Sequence, residues 1–476
     1  MNYRIVAYTL GWVLNIEGFC LLLPLAASFI YKDGCYASYL ISMALCLFVG
    51  FLLTVKKPQN KSMYSEEGFT AVALSWVVLS LFGCVPFFVS GYIPNFIDAL
   101  FETVSGFSTT GATILEDVEV LPNSLLLWRS FTHWLGGMGV LVFLVALLPL
   151  SGGGNMHLIR AESTGPSVSK LVPKVKSTAK ILYSLYVIFT AMELILLLLG
   201  GMTFFEALTT SFSTAGTGGF GIYNSSMSGF SPYIQYVVTA FMILFGVDFS
   251  IYYLLIIKHM GKALLSDEFK TYITIILSAI VLIGINCRGE YATLEETFRH
   301  SAFQVASIIS STGYTTADFN LWPTFSKTIL VLLMFIGACA GSTGGGIKVS
   351  RIIILFKSIG KEIKLAAHPR LTHRISINGR TVEHETVRSV SVFMMAYLVI
   401  FAAAMLIVSL DGFDFTTNFT AVATTINNMG PGLGGVASNF AAFSPLPKLV
   451  FSLVMLIGRL EIFPMLLILS PRAIRK

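Results

Sequence analysis

Four short polar runs in this 476-residue chain each close on a glycine: Ser108-Thr109-Thr110-Gly111, Ser213-Thr214-Ala215-Gly216, Ser310-Ser311-Thr312-Gly313 and Asn427-Asn428-Met429-Gly430. Six residues before each glycine stands a small hydroxyl residue, Ser105, Thr210, Ser307 or Thr424, and four before it a Phe or Ile. Glycine takes backbone angles closed to other residues and carries no side chain. A small polar run ending in glycine lets successive carbonyls point one way, the arrangement by which backbone oxygens replace the hydration shell of a cation. The expected coordinating set is therefore Thr109, Thr110 and Gly111; Thr214, Ala215 and Gly216; Ser311, Thr312 and Gly313; and Asn428, Met429 and Gly430. The hydroxyls of Thr109, Thr214 and Ser311 are supplementary oxygens. One such cluster reads as an ordinary loop, but four at intervals of about a hundred residues point to four repeats, far longer than solenoid periods.

Composition says what must hold these runs. Hydrophobic residues make up 55% of the chain and charged ones 12%, which indicates a polytopic membrane protein rather than a soluble globule. Nucleic acid is excluded as a partner class, and the lipid bilayer is the surrounding phase. Six scattered cysteines, Cys20, Cys35, Cys46, Cys84, Cys287 and Cys339, lack the spacing of a zinc site or a disulfide framework. No metal-ligand pair on a helix face and no Gly-x-Ser-x-Gly elbow is present, so the chain is not read as an enzyme, and no organic cofactor is expected. Gly216-Thr217-Gly218-Gly219-Phe220-Gly221 fits a dinucleotide fingerprint literally, but it follows a short helix instead of a strand.

Each glycine run sits in the same setting. Apolar segments near 5–30 and 36–55 form a helical hairpin without the motif. Then a span near 69–91, a short amphipathic helix near 95–107, the first glycine run and a span near 125–150 make one unit. The order returns near 180–200, 203–212 and 232–257, near 270–286, 293–309 and 326–356, and near 387–410, 414–426 and 446–470. The short helices cannot cross a bilayer, and non-helical backbone at membrane depth must be covered by protein or face water. The expected fold is thus an all-α polytopic membrane protein: four helix–pore-helix–helix repeats around a central pore, with two extra N-terminal transmembrane helices. The divisions are 1–60 for the addition, 61–155, 156–262 and 263–360 for the first three repeats, and 361–476 for the fourth with its preceding loop.

Basic residues fall in alternate loops: Lys56, Lys57 and Lys61; Arg160, Lys170, Lys174, Lys176 and Lys180; Lys258, Lys262 and Lys270; seven from Lys357 to Arg388; and Arg472, Arg475 and Lys476. The other loops are acidic. The positive-inside rule places the basic set and both termini in the cytoplasm, with roughly ten spans, and opens the glycine runs from outside. The short helices then aim the negative ends of their dipoles at the pore centre, which favours a cation.

The glycine runs, together with Gly341-Ser342-Thr343-Gly344-Gly345-Gly346-Ile347-Lys348, Asn427-Asn428-Met429-Gly430-Pro431-Gly432 and Gly458-Arg459-Leu460-Glu461, resemble the Trk/Ktr/HKT superfamily of potassium transporters. The likeness runs from about residue 60 to the end, and the two leading spans are similar to the TrkH branch of bacterial Trk systems. It implies gated potassium uptake across the bacterial inner membrane, one pore per protomer of a homodimer, and control by a cytosolic TrkA-like nucleotide-binding ring. Potassium is then the transported ion, and Gly111, where sodium-transporting plant relatives carry serine, implies potassium. The alternative is a sodium- or proton-coupled symporter, for which inverted repeats would be expected; these four repeats all run in one sense.

Two features suit a gate. The run from Gly337 to Gly346 holds six glycines in ten residues, a poor helix. The span should therefore break there into a loop beneath the filter; Gly341, Ser342, Thr343, Gly344, Gly345, Gly346 and Lys348 match the loop that gates the family's pore. Arg459, deep in the last span, is an ionisable residue of the kind that faces a bundle interior or water, where its charge would form a barrier; the competing reading is an ion pair with Glu461. Arg129 is read as snorkelling to the outer interface.

Overall fold

The computed structural model describes residues 2–58, 64–139, 175–256, 265–370 and 374–469. The basic residues Lys61, Arg160, Lys170, Lys174, Lys258, Lys262, Arg472, Arg475 and Lys476, and the expected span from 140 to 150, lie outside them.

Nineteen α-helices and one small hairpin are seen among the described residues. Helices α1 (Tyr3–Cys20) and α2 (Leu22–Tyr31) form one long apolar stretch, and α3 (Tyr36–Thr54) returns beside it. The return is tight because Gly11 and Gly50 face each other: a Cβ on Gly11 would lie 2.9 Å from the Gly50 carbonyl oxygen, the close backbone approach that small residues permit between membrane helices. Asp33 fastens this hairpin to the first repeat by accepting from the Cys35 amide at 3.2 Å and the Ser124 amide at 3.1 Å.

The first repeat comprises α4 (Ser65–Gly83), α5 (Val85–Val89), the short helix α6 (Phe96–Phe107) and α7 (Asn123–Gly137). The second comprises α8 (Val175–Leu199), α9 (Phe204–Gly216), α10 (Pro232–Phe245) and α11 (Phe249–Ile256). In the third, α12 (Asp267–Asn286) and α13 (Leu294–Ile309) precede α14 (Thr324–Ile336) and α15 (Val349–Ala367). A two-stranded hairpin of β1 (Ser376–Ile377) and β2 (Arg380–Thr381) leads to the fourth: α16 (His384–Val408), α17 (Phe415–Ile426), α18 (Pro445–Arg459) and α19 (Phe463–Leu469).

The four short helices start alike. Asn95 caps α6 on the Ile97 amide at 2.9 Å, Thr203 and Glu206 form a capping box on α9, Thr293 and Glu296 form one on α13, and Asp414 caps α17 on the Thr417 amide at 3.1 Å. Such caps satisfy amides that a helix start leaves open. Hydrogen bonds from the Thr417 hydroxyl and amide hold the Asp414 carboxyl below its ordinary range. At 12, 13, 16 and 12 residues, with a rise of about 1.5 Å per residue, these helices end inside the molecule.

Six stretches are long and apolar enough to cross a membrane among the described residues: Tyr3–Tyr31, Tyr36–Thr54, Glu66–Val89, Ala179–Leu199, Asp267–Asn286 and His384–Asp411. The second spans of the repeats differ from the expected continuous helices. Only the third was expected to break, yet α10 and α11 meet at a 91° bend, and α18 and α19 are separated by Leu460, Glu461 and Ile462, the last two with φ of 56° and 70°. At the first interruption Asp248 accepts from the Ser250 amide at 2.8 Å, and at the second the partly buried Glu461 pairs with Arg351.

Candidate functional site

Each short helix ends in one turn of shared geometry. Thr109, Thr217, Ser311 and Asn428 lie in the left-handed region with φ of 56°, 55°, 61° and 54°; two residues on, Gly111, Gly219, Gly313 and Gly430 have φ of 77°, 76°, 87° and 86°. Between them, the amides of Thr110, Gly218, Thr312 and Met429 donate to the carbonyls of Ser105, Ser213, Ser307 and Thr424 at 2.9, 2.9, 2.8 and 2.9 Å. This six-to-one bond with a left-handed residue is a helix C-cap that satisfies a carbonyl the helix leaves open.

The register of the second copy is therefore corrected. Gly219, not Gly216, occupies the position of Gly111, Gly313 and Gly430. Thr214, Ala215 and Gly216 belong to α9, where the Thr214 hydroxyl donates to the Thr210 carbonyl at 2.9 Å. A Cβ on Gly216 would lie 2.2 Å from the His133 carbonyl oxygen of α7, so that glycine serves helix packing.

The four turns meet in a closed ring. A Cβ placed on Gly111 would fall 1.9 Å from the Gly218 carbonyl oxygen; on Gly219, 1.9 Å from that of Thr312; on Gly313, 2.4 Å from that of Met429; and on Gly430, 2.8 Å from that of Thr110. Each repeat thus abuts the next and the fourth returns to the first. A side chain at any of these positions would force the neighbouring carbonyl to shift and would strain the backbone. All four glycines line an open vestibule of about 180 Å³, with Arg129 on its wall.

Beneath the ring, residues 337–348 form the expected non-helical loop. A Cβ on Gly344 would lie 2.8 Å from the Ser310 carbonyl oxygen, and one on Gly345 would lie 2.2 Å from that of Asn427. The Gly345 amide donates to the Ser311 hydroxyl at 2.6 Å and the Gly346 amide to the Asn427 carbonyl at 3.1 Å, so Ser311 is engaged by this loop. The buried Lys348 ammonium donates to the Gly344 carbonyl. Arg459 donates to the carbonyls of Thr343 at 2.8 Å, Gly136 at 2.5 Å and Gly137 at 2.8 Å, joining three repeats. Glu461 forms an ion pair with Arg351, whose guanidinium stacks 4.1 Å over Phe393. From outside the loop, Glu268 accepts the amides of Ala340 at 2.7 Å and Ser350 at 3.1 Å. Gly341 presses on Asp248, a Cβ there falling 2.6 Å from its Oδ1.

The family model for TrkH, described as a cation transport protein, matches residues 37–284 and 271–473. The chain belongs to the TrkH family. It is similar to the Trk system potassium uptake protein TrkH of Salmonella typhimurium, 36% identical over 479 residues and 99% of each chain. It is also similar to the Escherichia coli protein TrkG of the same description, 33% identical over 477 residues and 98% of each. The crystal structure of the potassium transporter TrkH from Vibrio parahaemolyticus superposes with a TM-score of 0.90 at 33% identity, covering 100% of both chains. All-α architecture with four repeats about one axis is therefore the fold of this TrkH-family chain.

Two residues of this TrkH-family site escaped sequence reasoning. Gly219 was hidden by Gly216, which has the Phe four residues before it that Gly219 lacks; the signal was the aromatic that follows, Phe220 matching Tyr314 after Gly313. Arg129 does not snorkel. It is buried in an ion pair with Glu102, Nε to Oε1 at 2.8 Å.

Proposed function

We propose that this chain conducts potassium into the bacterial cell through the axis of the four-turn ring, as the names of its Trk system relatives suggest. The closed contact of Gly111, Gly219, Gly313 and Gly430 with their neighbours' carbonyls is the observation that carries this reading. Main-chain oxygens at and before these glycines replace water around the ion, and the C-terminal ends of α6, α9, α13 and α17 place four negative dipole ends beside it. The loop of 337–348, tied to Lys348 and Arg459, lies under the ring as the gate, and Arg459 sets a positive barrier there. Loop charges put both termini on the cytoplasmic side of the inner membrane. A homodimer with one pore per protomer, regulated by a cytosolic nucleotide-binding ring, completes the arrangement.

The test is growth of a potassium-uptake-deficient strain at micromolar to millimolar potassium, with single-channel recording of purified protein. Gly111→Ser, Gly219→Ser, Gly313→Ser and Gly430→Ser should each abolish growth or shift preference toward sodium. Wild-type preference in all four would sink the reading; lack of unitary currents in active protein would favour a coupled carrier.

A further inference from the structure

We propose that the buried Glu102–Arg129 pair is an ionic clamp that positions the first turn of the ring against the second and thereby sets the ion preference; this rests on the ring being the conducting path. Glu102 is fully engaged. Its carboxylate accepts from the Thr113 hydroxyl at 3.0 Å, the Ile114 amide at 3.0 Å and Arg129 Nε at 2.8 Å. Arg129 in turn donates from Nη1 to the Gly221 carbonyl at 3.2 Å and from Nη2 to the Thr113 hydroxyl at 3.4 Å, and its guanidinium lies 4.1 Å over the Phe220 ring.

The two ends of the clamp are equivalent positions. Thr113 stands two residues after Gly111, and Gly221 two residues after Gly219. One planar, delocalised cation therefore grips the same point of two adjoining turns, which only the fork of an arginine can do. The device belongs to one quarter of the ring. Nine residues before the ring glycine, the other short helices carry Thr210, Gln304 and Ala421 in place of Glu102. Gln304 is buried and finds no hydrogen-bond partner for its amide among the described residues. The four turns thus share a backbone shape, while one junction among them is set by charge. Since a filter discriminates by where its oxygens sit, the rigid junction fixes the spacing and the other three follow it.

Thr113→Val removes the hydroxyl that both partners hold and changes no charge; Arg129→Lys keeps the charge and loses the fork. In proteoliposomes of the purified full chain, each should lower the rubidium-to-sodium uptake ratio by about tenfold, the effect of one charge-assisted hydrogen bond. Asp98→Asn serves as the contrast. It breaks the Lys448–Asp98 pair, 2.8 Å, at the far end of the same short helix, and should lower thermal stability without moving the ratio. Gly111→Ser is measured alongside. If it moves the ratio while Thr113→Val and Arg129→Lys keep the wild-type value, the clamp is refuted and the ring stands. If Gly111→Ser leaves the ratio unchanged, the ring itself is wrong and the clamp falls with it. An equal shift in Asp98→Asn would reduce the pair to general packing and also overturn the proposal. Should Arg129→Lys fail to fold, Thr113→Val carries the test alone.

Discussion

The outer ring and the layer beneath it are built on opposite plans. In the ring, each repeat closes its own turn with one short-range amide-to-carbonyl bond of 2.8 or 2.9 Å, and neighbours are related mainly by close backbone contact. In the inner layer, the breaks at 246–248 and 460–462 are short, while that at 337–348 is four times as long. They are held by side chains from distant parts of the chain: Arg459 on Gly136, Gly137 and Thr343, Glu268 on Ala340 and Ser350, and Arg351 on Glu461. Repetition produces a rigid ring from local sequence, and divergence produces a layer whose order depends on a few long-range contacts. In the second kind of structure, losing one contact can release a segment without unfolding its repeat.

The sharpest way to separate the layers is Lys348→Met. It keeps an unbranched side chain, one atom shorter, and removes the ammonium bond to Gly344. Loss of a charge-assisted bond should raise the open population of the loop by about tenfold, measured as open probability in single-channel records, with ion preference unchanged. A changed preference would mean that the layers are one unit. A smaller effect is expected within the ring from Ser213→Ala, which removes the hydroxyl bond to the Phe220 carbonyl at 3.0 Å and leaves the backbone bond from Gly218 in place. It should cost about 1 kcal/mol and lower the thermal midpoint by about 1–2 °C. Loss of transport in that variant would show that the turn depends on its side chain.

The contrast also explains what could be read from the sequence. Hydroxyl and glycine positions recur because every turn needs the same C-cap, so three of the four turns were legible from spacing, and the fold from spacing together with composition. In the second repeat the helix runs on to Gly216, and Ser213 satisfies the hydroxyl position of the true turn while Thr210 satisfies that of the false one. The Phe or Ile expected four residues before the glycine selects Gly216, through Phe212, over Gly219, which has Ala215 there; the left-handed Thr217 overturns that choice. The glycine-rich break of the third repeat was legible from composition. The break at Asp248, whose carboxylate accepts from the Ser250 amide two residues on, carries no spacing signal, and that at Glu461 was not legible because its partner Arg351 lies 110 residues away. Arg129 failed for the same reason: a lone arginine near a span end reads as interfacial, and Glu102, 27 residues away, becomes its partner only once α6 folds back into the bundle.

The most direct test of the central claim is an anomalous-difference map of the purified protein in thallium or rubidium. Ion density should lie on the axis enclosed by Gly111, Gly219, Gly313 and Gly430, at contact distance from main-chain oxygens of all four turns. Density beside Gly216 and outside that ring, or an ion held by fewer than four repeats, would contradict the account.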